Sequence, residues 1–182
     1  MIALIIFLIF VFVALGYGLL AGISDFKGLV IPNSYSAIIA MCFIVNFVLQ
    51  VLMGNAHELF LPLWSHVGAL VVMFAVSAAM FHYKILGAAD SKLASAYALW
   101  LGFAPLPVFL FVMSLVGALL GVFALVIRKY KPFKIEGADG WLAQVQAGQS
   151  KVPYGIAITF GAFYGFYAAG YLDLSVLAEN FG

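Results

Sequence analysis

The sequence predicts an all-α, polytopic membrane helix bundle of about six transmembrane helices joined by short loops. Three observations carry that expectation. Of the 182 residues, 66% are hydrophobic and 8% are charged, against about a quarter charged in a soluble domain. Apolar runs recur along the chain, most of them close to the ~20 residues that a membrane helix needs. Polar turns separate the runs, and every Lys and Arg falls in alternate turns. Eight basic and seven acidic residues cannot coat a water-facing globule of this size. That excludes an ordinary soluble enzyme and a disordered chain. A net charge of +1 offers no electrostatic footprint for nucleic acid. One cysteine, Cys42, leaves no internal disulfide and no cysteine-built zinc site.

The first span covers about residues 2–21 and holds no charge. It lacks a basic leading region, its apolar run is too long for a secretory signal, and further spans follow, so it counts as a helix. The second covers about 36–53, the third 65–81 and the fourth, a short one, 91–102. Ala104-Pro105-Leu106-Pro107 separates the fourth from the fifth at 107–127, because two prolines interrupt a helix interior. The sixth covers about 154–172. Residues 1–182 thus read as one integral membrane domain, and residues 128–153 as its longest, solvated loop. With six spans, Lys27, Lys84, Lys92, Arg128, Lys129, Lys131, Lys134 and Lys151 share one side of the membrane. The positive-inside rule makes that side cytoplasmic, and both termini then lie outside. Trp64, Trp100, Tyr130, Trp141 and Tyr154, near span ends, are expected as interface anchors. Gly16, Gly18 and Gly22 on span one, and Gly117 and Gly121 on span five, are expected to let helices approach closely.

Two carboxylates stand out at the cytoplasmic mouth. Asp25 follows span one in Ser24-Asp25-Phe26-Lys27, and Asp90 precedes span four in Gly87-Ala88-Ala89-Asp90-Ser91-Lys92. Ionisable groups beside apolar helix are costly and mark function by default. Two carboxyls held close cannot both ionise cheaply, so one keeps a proton while the other acts as base, and together they activate water. Structural alternatives stay open on spacing alone: Asp90 as a helix N-cap, Asp25 as a partner of Lys27. His57, His66 and His82 share no ligand spacing on one face, so neither a metal site nor another cofactor is expected.

Gly87-Ala88-Ala89-Asp90-Ser91-Lys92 resembles the Gly-x-Gly-Asp-x-Lys motif of the membrane aspartic peptidases that process type IV prepilins. Asp25 followed by Ile31-Pro32-Asn33 resembles that family's first catalytic aspartate and its downstream Ile-Pro-Asn. Val152-Pro153-Tyr154-Gly155 resembles its C-terminal Pro-Tyr-Gly pattern. The short peptidases of tight-adherence (Flp-type) pilus systems are the nearest subgroup, and the archaeal preflagellin peptidases are relatives. The resemblance implies Asp25 and Asp90 as the catalytic pair. It implies a prepilin or pseudopilin substrate, a short polar leader followed by an apolar helix, cleaved at the cytoplasmic face. It also implies a bacterial inner membrane as the simplest host, and other pilus-assembly proteins as further partners.

Ala89 departs from the motif glycine, with tolerance expected because a methyl adds little bulk. No segment between the first two spans has room for the cysteine-rich unit of longer members, which implies cleavage without N-methylation. Lys92 either biases Asp90 or marks the interface, while Pro32 and Asn33 end the first turn and start span two. Two other classes compete: a small membrane transporter, and a non-catalytic membrane subunit of a pilus or secretion machine. Transport favours mid-span charge and internal repeats, and the sequence has neither.

Overall fold

A computed structural model describes residues 2–131, 140–149, 151–173 and 175–177. Lys134, Glu136, Asp139 and Glu179 lie outside the described residues. The chain is helical: α1 (Ile2–Gly28), α2 (Asn33–Leu52), α3 (Ala56–Leu59), α4 (Leu63–His82), α5 (Ala88–Leu101), α6 (Leu106–Tyr130), α7 (Trp141–Gln146) and α8 (Tyr154–Ala168). No strand occurs among the described residues.

Four helices, α1, α2, α4 and α6, are long and apolar enough to cross a membrane. The sequence predicts six. The difference lies in α5 and α8, of 14 and 15 residues, which at 1.5 Å per residue cover roughly 21–23 Å against a hydrocarbon core of ~30 Å. Backbone punctuation sets the length of α5. Gly87 is its N-cap. Gly102, at φ +67°, ends it in a conformation that favours glycine. Pro105 and Pro107 then start α6.

Helix α5 is the centre of the bundle. It packs on α2, α4 and α8, while α1 packs on α2 and α8, and α6 on α8. From Leu93 to Leu101 every α5 residue is buried, as expected of a helix apolar all round. Side chains bonded to backbone carbonyls stitch the helices together. Tyr97 Oη donates to Ala14 O at 2.8 Å, Trp100 Nε1 to Ile39 O at 2.9 Å, and Tyr171 Oη to Trp100 O at 3.1 Å. Gln50 Nε2 donates to Ala3 O, and His66 Nδ1 meets Leu99 O, both at 2.9 Å. A low-dielectric interior requires such pairings, because an unmet polar group costs several kcal/mol there.

Several expectations change in three dimensions. Trp100 is fully buried rather than an interface anchor, because its indole N–H is spent on α2. Trp141 is also buried: α7 folds back onto α6, and the indole N–H reaches Lys151 O at 2.8 Å. Trp64 and Tyr130 are exposed. Helix α1 runs seven residues past the expected end, so Asp25 stands on a helix and not in a turn. Gly18 and Gly22 meet neighbours, but a Cβ on Gly16 or Gly121 would touch nothing within 4 Å among the described residues.

Gly18 provides a direct test of this packing. An added Cβ would collide with Tyr97 Oη, so Gly18→Ala should cost about 1–3 kcal/mol by overpacking. Tyr97→Phe, which removes the colliding oxygen, should recover part of the loss. Thermal melts of the two single variants and the double variant measure this, and strictly additive losses would refute the contact.

Candidate active site

Asp25 sits in the last turn of α1 and is buried. The turn closes with Leu29 at φ +54°, whose N–H donates to Asp25 O at 2.8 Å. Across the bundle, the Gly155 N–H donates to Asp25 Oδ2 at 2.7 Å. Gly155 is the second residue of α8, a helix that starts at Pro153 without a side-chain cap of its own. Asp25 therefore caps α8 from another helix, meeting an orphan amide at the positive end of the helix dipole. Any larger residue would be tight at this approach. A Cβ on Gly155 would sit 3.0 Å from Asp25 Cβ, from Asp25 Oδ2 and from Ile31 Cδ1.

Asp90 lies in the first turn of α5 and is half-buried. Its Oδ2 accepts the Gly87 N–H at 3.2 Å, so it occupies the third helical position and folds back on the N-cap backbone. It is not itself the N-cap. A Cβ on Gly87 would fall 2.6 Å from Asp90 Oδ2, so a larger residue there would push this carboxyl aside. Ala89, the departure from the motif, is an ordinary helical residue of the first turn, where alanine suits the backbone better than glycine.

The two carboxylates line one cleft of about 450 Å³, walled by Phe81, Lys84, Ile85, Lys151 and Tyr154. It opens where α1 and α4 end and α5 and α8 begin. Lys27, Lys84, Lys92 and Lys151 belong to this end of the bundle. Burial pushes the Asp90 carboxyl up to about 7, the nearby Asp25 charge adds to the rise, and the Gly87 N–H opposes it. Asp90 thus keeps its proton to higher pH than a free carboxyl does, beside a second carboxyl that is hydrogen-bonded to a backbone amide.

The other motif residues hold this geometry. Lys92 Nζ donates to Asn33 Oδ1 at 2.9 Å, joining the start of α5 to the start of α2. Its bond goes to Asn33 rather than to Asp90. Pro32 is the N-cap of α2 and Asn33 its first residue, while buried Ile31 packs at the Gly155 seat. Asp25 forms no ion pair with Lys27 among the described residues. Sequence reasoning left Gly155, Lys84 and Lys151 out of the site. The Pro153-Tyr154-Gly155 motif was the available signal for the first. Nothing local marks the two lysines, since their place at the cleft depends on chain segments far apart. Among the described residues no three His, Cys, Asp or Glu side chains come together as a metal site. His66 is buried on Leu99 O, while His57 and His82 are exposed.

The Asp90 environment makes stability depend on pH. An unfolded carboxyl titrates at 3.8 and the folded one at about 7, so the folded state binds the proton more tightly. The associated stability is complete below about 4 and is lost as pH rises through about 7. Asp90→Asn keeps the acceptor for Gly87 and removes the ionisation. Its melting temperature should match wild type near pH 4 and exceed it by pH 8, and an unchanged or negative difference at pH 8 would sink this account.

The profile of the type IV leader peptidase family matches residues 9–122. The matched segment contains both Asp25 and Asp90 and ends within α6, before α8. Comparison with curated proteins and with solved structures returns no match. A match over more than half of the chain, with two carboxylates facing one cleft inside it, identifies this protein as a member of the type IV leader peptidase family.

Proposed function

We propose that the protein is a membrane aspartic endopeptidase that removes the short leader from a Flp-type prepilin at the cytoplasmic face of the inner membrane. The observation that carries this reading is the pair Asp25 and Asp90, on separate helices but lining one cleft at the lysine-bearing end of the bundle. A substrate with an apolar helix in the bilayer presents its leader junction at that level. Positive residues favour the cytoplasmic side, which leaves Ile2 and Leu177, at the other end, facing outward.

We divide the roles between the two aspartates as follows. We take Asp25, which accepts the Gly155 N–H, as the base, and Asp90, whose carboxyl burial pushes up to about 7, as the proton donor. Asp25 takes a proton from water as the water oxygen bonds to the scissile carbonyl carbon. Asp90 gives its proton to the carbonyl oxygen, forming a neutral gem-diol. On collapse the C–N bond breaks, the proton on Asp25 passes to the leaving amine, and one gem-diol hydroxyl returns its proton to Asp90. The leader leaves as a carboxylic acid and the pilin as a free amine. Gly87, Ala89, Lys92, Pro32 and Asn33 support the two aspartates. Nothing in this cycle calls on a metal or cofactor. N-methylation of the new amine is not part of the proposal, because only residues 29–32 join α1 to α2.

Co-expression of a Flp-type prepilin with wild type, Asp25→Asn and Asp90→Asn tests the proposal by the mass of the pilin. Wild type should release the leader and leave an unmethylated amine. Each variant should lose at least about 100-fold in rate, the scale of one general acid or base. Processing that survives either substitution would move the chemistry to another nucleophile.

Two further outcomes follow from the geometry. Activity should decline above pH about 7 as Asp90 loses its proton, measured as the initial cleavage rate across pH. Gly155→Ala should slow cleavage about 100-fold by displacing Asp25 while the helical content is retained.

A further inference from the structure

The cleft holds two cations that the aspartate chemistry leaves unused. Lys84 and Lys151 both line it, and both are exposed. Neither forms an ion pair or a side-chain hydrogen bond among the described residues. Neither offsets Asp90: burial and the Asp25 charge raise that carboxyl, and no lysine relieves the rise. Their backbones are nonetheless fixed. The Lys151 carbonyl accepts the Trp141 indole N–H at 2.8 Å, and Lys84 is held by the turn that ends α4.

That turn sets Lys84 apart. Among the described residues, four helices end in the same pair of bonds, one N–H reaching back three residues and the next reaching back five. Helix α2 closes with Gly54 N–H on Val51 O and Asn55 N–H on Gln50 O. Helices α7 and α8 close in the same way at Gly148 and Gly170. The three glycines hold φ at +81°, +103° and +77°. Helix α4 closes with Lys84 N–H on Phe81 O and Ile85 N–H on Met80 O, both at 2.9 Å, and Lys84 holds φ at +60°. Glycine takes this left-handed backbone without cost, and a residue with a side chain does not. The chain thus uses glycine at three such turns and lysine at the one whose residue lines the cleft. Backbone held in a costly conformation clusters at functional sites.

Both lysines stand beyond helix ends. Lys84 follows the last residue of α4 by two, and Lys151 precedes the first residue of α8 by three. Asp25 and Asp90 lie inside the terminal turns of their helices. The lysines are therefore on the aqueous side of the aspartates. Lys84 is three residues from Gly87, whose amide holds Asp90, a span of at most ~10 Å. A substrate with its apolar helix in the bilayer runs its leader toward that side.

Resting on the peptidase reading above, we propose that Lys84 and Lys151 form a subsite for an acidic side chain of the leader, within about four residues of the scissile bond. Two ammonium groups complement a carboxylate there, and they hold it away from Asp25, which would otherwise repel it.

The purified full chain in detergent micelles tests this with prepilins whose last four leader residues are all Gln, or carry one Glu at each position in turn. Wild type should favour Glu at one position about fivefold in kcat/KM, the upper scale of an exposed ion pair. The gain should lie in KM and fade as salt rises. Lys84→Gln and Lys151→Gln should each weaken the preference, and the double variant should abolish it. Lys84→Glu should favour Lys over Glu at the same position. Lys84→Gly should weaken the preference while melting no lower than wild type, because glycine suits the turn. Cleavage of all leaders alike by wild type, or an unchanged preference in the double variant, would overturn the subsite and leave the peptidase standing. A wild type that cleaves none of them would remove the peptidase reading and the subsite with it. If the double variant fails to fold, Lys84→Gly and Lys84→Glu decide. A freed all-Gln leader that inhibits wild type more strongly than Lys84→Gly would assign the lysines to the new terminal carboxylate instead.

Discussion

The hydrogen bond from the Gly155 N–H to Asp25 ties the end of α1 to the start of α8, and the cleft is organised around it. Both helix ends sit where water is scarce, so each needs a partner for what its own turn cannot satisfy. Helix α8 has no capping side chain, and a buried carboxylate on α1 needs a donor. One contact meets both needs. It favours glycine at 155, because a methyl group would meet Asp25 and Ile31 at 3.0 Å and press on both. Asp90 is held in a related way, by an amide of the turn that precedes its own helix. The carboxylates are therefore positioned by backbone, with no long side chain as intermediary.

Around this contact the bundle uses a short helix as its core. Helix α5 is too short to cross a bilayer alone, yet it carries Asp90 at one end and the buried Tyr97 and Trp100 further along. Those two side chains hold α1 and α2 through their carbonyls. Asp90 thus rides on the element that most of the bundle grips. A pair of carboxylates on separate helices can keep its spacing only if the helices cannot slide, and these aromatic-to-carbonyl bonds oppose sliding. Both aspartates lie within the segment that the family profile matches, and both line the cleft.

Much of this was legible in the chain. The apolar runs marked α1, α2, α4 and α6 because hydrophobic length is a local property, and the two prolines marked the break between α5 and α6. Asp25 and Asp90 were legible as candidates because charge beside an apolar run is rare and costly. Trp100 was misread, since an aromatic at a helix end looks the same whether it faces an interface or donates to a neighbouring carbonyl. Gly121 and Gly16 were misread for a related reason: a small residue permits an approach and does not ensure that a partner arrives.

Composition and the order of apolar and polar segments determined a helical membrane protein, because burial cost and helix length are set residue by residue. Tertiary structure alone decided that Asp25 would cap α8, that Asp90 would turn back on Gly87, and that both would face the same cleft. Asp25 and Gly155 are 130 residues apart. No local pattern encodes a contact at that separation, which exists only when the whole bundle has packed.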